Sequence, residues 1–154
     1  MPVPKSYAVS DDLLAGAYPG TMDAVRALEH DGVTVFVDLT HPSDPLDDYR
    51  HLLHEARRLA HPIPDMGTPT AGQVMQILDD IDAARAEGGT VYVHCWGGVG
   101  RTGTVIGCWL VRHGLDEGDA IVRIAELRAE IAGVRPSPET PGQVALVRGW
   151  RHGW

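Results

Sequence analysis

The sequence is short of basic residues, of cysteine and of long apolar runs, and each shortage closes off a class of protein. Thirteen lysines and arginines face 21 aspartates and glutamates, a formal net charge of −8 over 154 residues. Nucleic acid and anionic membrane surfaces both call for a basic face, so neither is an expected partner. Two cysteines, Cys95 and Cys108, make no disulfide framework. No apolar run approaches the roughly 20 residues of a membrane-spanning helix. Met1 to Val9 lacks the charged-then-apolar pattern of a secretory signal. The reducing cytoplasm is therefore the expected location. No repeat, low-complexity tract or linker divides the chain, and one domain over residues 1–154 is expected. An apolar share of 44% and a charged share of 22% are ordinary for a soluble globular protein of a size that can bury a core. Early in the chain Asp11, Asp12, Asp23, Glu29, Asp31, Asp38, Asp44, Asp47 and Asp48 face only Lys5 and Arg26. That cluster reads as a solvated face rather than a docking surface.

Strands and helices alternate along the chain. Tyr7–Val9 and Leu13–Gly16 read as a hairpin, and Thr21 begins a helix that runs through His30 and stops at Gly32. Val33–Leu39 is β-branched and continuous, as a strand buried on both faces should be. A loop with Pro42 and Pro45 leads into an expected helix through Ala60. Val74, Ile77, Leu78, Ile81 and Ala84 recur at helical spacing up to Gly88-Gly89, and Val91–His94 is the next buried strand. Helices are expected over Thr104–His113, over Ile121–Ile131 and from Pro138 towards Trp150. The pattern predicts an α/β sandwich of three layers. Its central, mostly parallel sheet of four to five strands is flanked by helices, and the ligand site lies beyond the strands' C-terminal ends.

The string His94-Cys95-Trp96-Gly97-Gly98-Val99-Gly100-Arg101-Thr102-Gly103 sits where that rule puts a site. A strand feeding a glycine-rich loop that feeds a helix turns backbone N–H groups inward at the positive end of the helix dipole, a cradle for a phosphate-sized anion. The backbone of Trp96, Gly97, Gly98, Val99, Gly100 and Arg101 is the expected lining, and the glycines permit the tight turn. Arg101 can clamp two oxygens of the anion. Cys95 at the mouth would feel the same field, which favours the nucleophilic thiolate. These parts fit attack on a phosphate ester.

His-Cys, five residues, then Arg-Thr resembles the signature of the cysteine-dependent protein phosphatases, the protein-tyrosine and dual-specificity group, and the likeness extends over nearly the whole chain. It implies the phosphotyrosine phosphatase-like fold and hydrolysis of phosphate monoesters through a phosphocysteine, with Cys95 and Arg101 central and no metal or other cofactor. Ile63-Pro64-Asp65-Met66-Gly67-Thr68-Pro69-Thr70 resembles the family's general-acid loop, with Asp65 thirty positions before Cys95. By that resemblance Asp65 protonates the leaving oxygen and then activates water. Taken alone, Asp65 reads equally well as a turn residue after proline. Asp38 is the rival acid, although the family has a structural Asp or Asn there. The resemblance makes His94 an organiser of the loop backbone, its ring turned from the substrate. It gives the Thr102 hydroxyl a part in expelling the thiolate, and a helix-capping reading stands beside it. A late family glutamine that positions water corresponds to Gln143, although Thr140-Pro141-Gly142-Gln143 also reads as a capping box.

The remaining candidates are weaker. His51, His54 and His61 lack the carboxylates and spacing of a zinc-binding helix. Cys108 reads as core, with a disulfide to Cys95 as the minority alternative. Trp96 either projects from the rim or packs under the loop, and Trp150 and Trp154 read as core anchors. The chain has no room for the elements that deepen the pocket in longer tyrosine-specific relatives. A shallower pocket accepting phosphoserine and phosphothreonine as well as phosphotyrosine is expected. The five residues between Cys95 and Arg101 contain no lysine, unlike the loop of phosphoinositide-hydrolysing relatives. The expected partner is a phosphorylated protein or a small phosphate ester, bound by a monomer. A phosphate-binding module without turnover is the other class left open.

Overall fold

The computed structural model describes residues 5–131, 135–152 and 154. The two apolar runs richest in β-branched residues make the middle of the sheet. These are β3 (Val33–Asp38) and β5 (Thr90–His94), which pair in parallel. Around them lie β1 (Tyr7–Ser10), β2 (Leu13–Gly16) and β4 (Arg57–Ala60), in the order β1-β2-β5-β3-β4. Only the β1–β2 hairpin is antiparallel.

Side chains alternate across the sheet with a period of two residues. Val91, Val93 and Cys95 therefore join one core and Tyr92 the other, while Leu13 and Ala15 oppose Leu14 in the same way. The smaller core lies under α1 (Met22–His30), which buries Val25 and Leu28 against Phe36, Tyr49 and Tyr92. The larger core is covered by α2 (Ala71–Ala86), α3 (Gly100–Arg112), α4 (Glu117–Leu127) and α5 (Pro141–Gly149). Helix α3 is the central one, buried from Gly100 through Val111. Gly107 lets α5 approach it closely, since a Cβ there would come within 2.8 Å of Val147. The expected three-layer sandwich is present, and among the described residues no helix is long and apolar enough to cross a membrane.

Several expectations are corrected. The helix expected before Ala60 is a 3-10 turn over Arg50–Leu52 followed by the edge strand β4, paired from Val35↔Arg57 to Asp38↔Ala60. The amides of His54, Glu55 and Ala56 all donate to one Glu29 oxygen, at 2.9, 3.2 and 3.2 Å. Those N–H groups are lost to any local helix, so tertiary contacts override the helix-compatible composition. Helix α3 starts four residues earlier than expected, which puts Arg101 and Thr102 in its first turn. Helix α4 spans Glu117–Leu127, short of Ile131, and α5 begins at Pro141 under a Thr140 cap. The early acidic cluster is no uniform solvated face. Asp38 and Asp44 are buried, and Asp12 pairs with Arg85 at 2.8 Å.

Phe36 packs edge-on against Tyr49 at 5.8 Å and Tyr92 at 6.0 Å between ring centres. Phe36→Ala should cost about 3–5 kcal/mol, read as a lower urea midpoint at unchanged m-value.

Candidate active site

The sheet's alternation separates His94 from Cys95, its neighbour. His94 points into the core beneath α1, where it is fully buried beside Tyr92 and Tyr49. Its Nδ1 lies 3.1 Å from the Cys95 carbonyl oxygen and its Nε2 2.6 Å from the Tyr49 hydroxyl. A carbonyl can only accept, so Nδ1 carries the proton. Burial lowers the ring's pKa and keeps it neutral, so Nε2 accepts from Tyr49. Asp38 stands 3.8 Å from Nε2 and accepts from the Thr40 amide and Arg58 Nε, both at 2.8 Å. Burial opposes ionisation of Asp38, but the surrounding positive charge and donors outweigh it and hold its carboxyl below the usual range. Asp38 is thus a structural group beneath the sheet's end and not the rival acid.

Cys95 leaves β5 with its side chain on the other face, 3% exposed. The loop then turns through Gly98 at φ +74°, where a Cβ would stand 2.5 Å from the Gly16 carbonyl carbon. Only glycine fits there, because both the backbone angle and the space exclude a side chain. The Tyr18 amide donates to the Trp96 carbonyl at 3.0 Å and the Ser137 hydroxyl to the Val99 carbonyl at 2.5 Å, fixing the loop from two sides. No side chain caps α3 at Val99, so the first-turn amides remain for a bound anion. The capping role considered for Thr102 is therefore not observed. Its side chain is fully buried, and its hydroxyl has no hydrogen-bond partner among the described residues.

Arg101 is 2% exposed and joins two distant loops to the cradle. Its Nη1 donates to Asp44 and to the Ile63 carbonyl, both at 2.8 Å, and its Nη2 to Asp65 at 3.2 Å. Burial alone would raise the pKa of Asp44, but the His41 amide and Arg101 reverse that and hold the carboxyl low. The Asp65 side chain is about half exposed. The loop behind it closes through Gly67 N–H to the Pro64 carbonyl at 2.8 Å. Gln143 ties that loop to α5. Its Nε2 donates to the Gly67 carbonyl at 3.0 Å, while Oε1 accepts from the Glu139 and Thr140 amides at 3.0 and 3.1 Å. The capping box is formed, and both lone pairs of the Gln143 oxygen are engaged there. Water positioning by that oxygen is thereby displaced.

Cys95, Arg101, Asp65 and the loop backbone share one cleft of about 290 Å³. Trp96 stands in it 44% exposed, which answers the question of its orientation in favour of the rim. Met66, Arg135 and Glu139 also line the cleft, and Asp44 holds Arg101 from below. The sequence reading assigned none of these four to the site. Their loops meet only in the fold, and the one local hint was that Met66 adjoins Asp65. Elsewhere His51 and His54 are exposed and His61 pairs with Asp80 at 2.7 Å. Among the described residues no group of three or more His, Cys, Asp or Glu could hold a metal ion. Cys95 and Cys108 are both free thiols, and burial pushes Cys108 up to about 12. Trp150 is core, and Trp154 packs edge-on against it at 5.3 Å.

A parallel sheet that delivers a cysteine into an anion cradle opposite a buried arginine has the architecture of the cysteine-dependent phosphatases. The family model described as "Polymorphic toxin system, DSP-PTPase phosphatase" matches residues 15–115. The chain therefore belongs to this family of dual-specificity and protein-tyrosine phosphatases, which hydrolyse phosphate monoesters. Protein 067L of Invertebrate iridescent virus 3, named for tyrosine phosphatase activity, is 36% identical over 112 residues, covering 68% of this chain and 45% of the viral one. The chain thus spans under half the length of that relative. Among solved structures, Tk-PTP in its active form is 25% identical with a TM-score of 0.80, covering 94% of this chain and 95% of that one. TpbA of P. aeruginosa is 26% identical with a TM-score of 0.74, covering 95% and 84%. PTPMT1, solved with PI(5)P, shares the fold at 21% identity and a TM-score of 0.76, covering 94% and 92%.

The buried neutral His94 links stability to pH. The unfolded chain binds a proton at this site below about pH 6.5 and the folded one does not, so stability falls as pH falls through that value. The expected slope from this group approaches about 1.4 kcal/mol per pH unit. Asp38, whose folded pKa is lowered, adds a further loss below about pH 4 as the unfolded carboxylate protonates first. Urea unfolding from pH 8 to 4 checks this, and a flat profile between pH 6.5 and 5 would contradict a buried neutral ring.

Proposed function

We propose that the protein hydrolyses phosphate monoesters on proteins, phosphotyrosine and also phosphoserine and phosphothreonine, through a phosphocysteine intermediate. The observation that carries this is the meeting of nucleophile, anion clamp and acid in one cleft, with Asp65 3.2 Å from the Arg101 guanidinium. The phosphate sits on the loop amides from Trp96 to Arg101, and Arg101 stabilises the equatorial oxygens as charge shifts during transfer. The Cys95 thiolate attacks phosphorus, the S–P bond forms, and the P–O bond to the leaving group breaks. Protonated Asp65 gives its proton to the leaving oxygen. As carboxylate, Asp65 then takes a proton from water, whose oxygen attacks phosphorus and releases Cys95 as thiolate. The buried Thr102 hydroxyl, free of any described protein partner, donates to the departing sulfur. His94 holds the Cys95 carbonyl and thereby the loop, and Gln143 holds the acid loop. The chain's own groups perform every step, so no cofactor enters the scheme.

A second structure of P. aeruginosa TpbA, a cysteine-to-serine variant in complex with pTyr, is 25% identical with a TM-score of 0.76 and supports a phosphotyrosine substrate. The lysine-free loop and net charge of −8 weigh against a phosphoinositide surface. We further propose a cytoplasmic location, because the thiolate must stay reduced.

Hydrolysis of p-nitrophenyl phosphate in EDTA with reductant should vanish with Cys95→Ser. Asp65→Asn should lower kcat on a phosphotyrosine peptide by about 10²–10⁴ and have far less effect on p-nitrophenyl phosphate, whose leaving group needs no proton. Turnover that survives Cys95→Ser would overturn the mechanism. An inactive wild-type protein that still binds vanadate would make it a binding module.

A further inference from the structure

Of the large apolar side chains exposed among the described residues, two line the cleft, Met66 at 52% and Trp96 at 44% exposure. Burial would be their ordinary fate, and apolar groups held at the mouth of a site point to an apolar partner. Each is one residue from a group of the proposed mechanism, Trp96 after Cys95 and Met66 after Asp65. Both are held in place by backbone contacts. The Trp96 carbonyl accepts from the Tyr18 amide at 3.0 Å. Met66 adopts φ +62°, its amide donating to Asp65 Oδ1 at 3.0 Å while the Gly67 amide closes the turn onto Pro64. A left-handed backbone at a non-glycine residue is strained, and such strain persists where surrounding structure enforces it, commonly at ligand clamps. Here it keeps an apolar side chain in solvent beside the acid.

Cys95, at 3% exposure, is buried in the cleft that these two exposed side chains also line. A phosphate that reaches the sulfur must bring its leaving group past them. An aryl leaving group sets a ring at that level, where it gains contact with an indole and a thioether, both of which pack well on aromatic rings. An alkyl ester of serine or threonine sets polar peptide backbone there instead. We propose that Trp96 and Met66 are specificity residues that hold the aromatic leaving group and favour aryl over alkyl phosphate monoesters. The inference rests on the phosphatase reading above and refines its substrate class. Arg135 and Glu139, paired at 2.9 Å, form a polar wall of the same cleft.

The test compares one peptide carrying phosphotyrosine or phosphothreonine at the same position, in the wild type, Trp96→Ala, Met66→Ala, Trp96→Phe and Met66→Leu. The kcat/KM ratio for phosphotyrosine over phosphothreonine should fall roughly tenfold in each alanine variant, mainly through KM, and stay near the wild-type value in the Phe and Leu variants. The same ratio of dissociation constants, measured in the Cys95→Ser background, gives an answer that does not depend on turnover. A ratio unchanged within about twofold, whether or not both activities drop, would overturn the assignment. Failure of the mechanism itself would show separately, as turnover surviving Cys95→Ser. Free phenyl phosphate is a third arm. Sensitivity of phenyl phosphate equal to that of the peptide supports contact with the aryl ester itself, and a phenyl phosphate indifferent to both alanine substitutions would overturn it.

Discussion

A buried guanidinium has to be matched, and Arg101 organises the site through that requirement. Leaving its charge uncompensated at 2% exposure would cost several kcal/mol. The match comes from Asp44 in the segment after β3 and from Ile63 and Asp65 in the segment after β4. Two loops distant in sequence are thereby drawn to the end of β5. The group suited to hold phosphate is the same group that assembles the cleft, and it is held rigid before any substrate arrives. Such preorganisation is what lets a cradle stabilise developing charge without reorganising.

The opposite face of the sheet solves a second problem. The alternation that sends Cys95 towards the helices sends His94 into an aromatic core of Tyr92, Tyr49 and Phe36. A charged ring would be costly there, so the imidazole stays neutral and spends its one proton on the Cys95 carbonyl. The hydrogen bonds Tyr49–His94–Cys95 thus fix the backbone at the start of the cradle. Arg58 on the edge strand β4 pairs with Asp38 and satisfies that buried carboxylate at the end of β3.

The acidity of the chain and the chemistry of its cleft are reconciled locally. Asp38 and Asp44 count towards the net charge of −8, yet each is consumed by an arginine. Backbone amides and one guanidinium make the anion site, and neither needs a basic surface. Met66 and Trp96 give the cleft two exposed apolar side chains beside the Arg135–Glu139 pair.

The ten residues from His94 to Gly103 carry strand, turn and helix start in succession, so the cradle was legible locally: its chemistry depends on backbone direction and on spacing within one short segment. The sheet's middle was legible for the same reason, because Val33–Asp38 and Thr90–His94 state their burial in their own composition. The acid loop could be found only as a resemblance, since nothing near Asp65 in the chain separates a catalytic acid from a turn residue. Strand β4 was misread as helix because Glu29, 25 to 27 positions earlier, takes the amides that a helix would have used. Met66 reaches the cleft from one loop and Arg135 and Glu139 from another, Asp44 meets Arg101 from a third, and Gln143 became a tie between the Asp65 loop and α5 through one bond to Gly67. The sequence alone determined the strand–loop–helix that carries Cys95 and Arg101 and the class of fold, because these are written in local pattern and spacing. The tertiary structure decided how Arg101 is matched, where Asp65 stands and what lines the cleft, because burial forces partners together without regard to their separation in sequence.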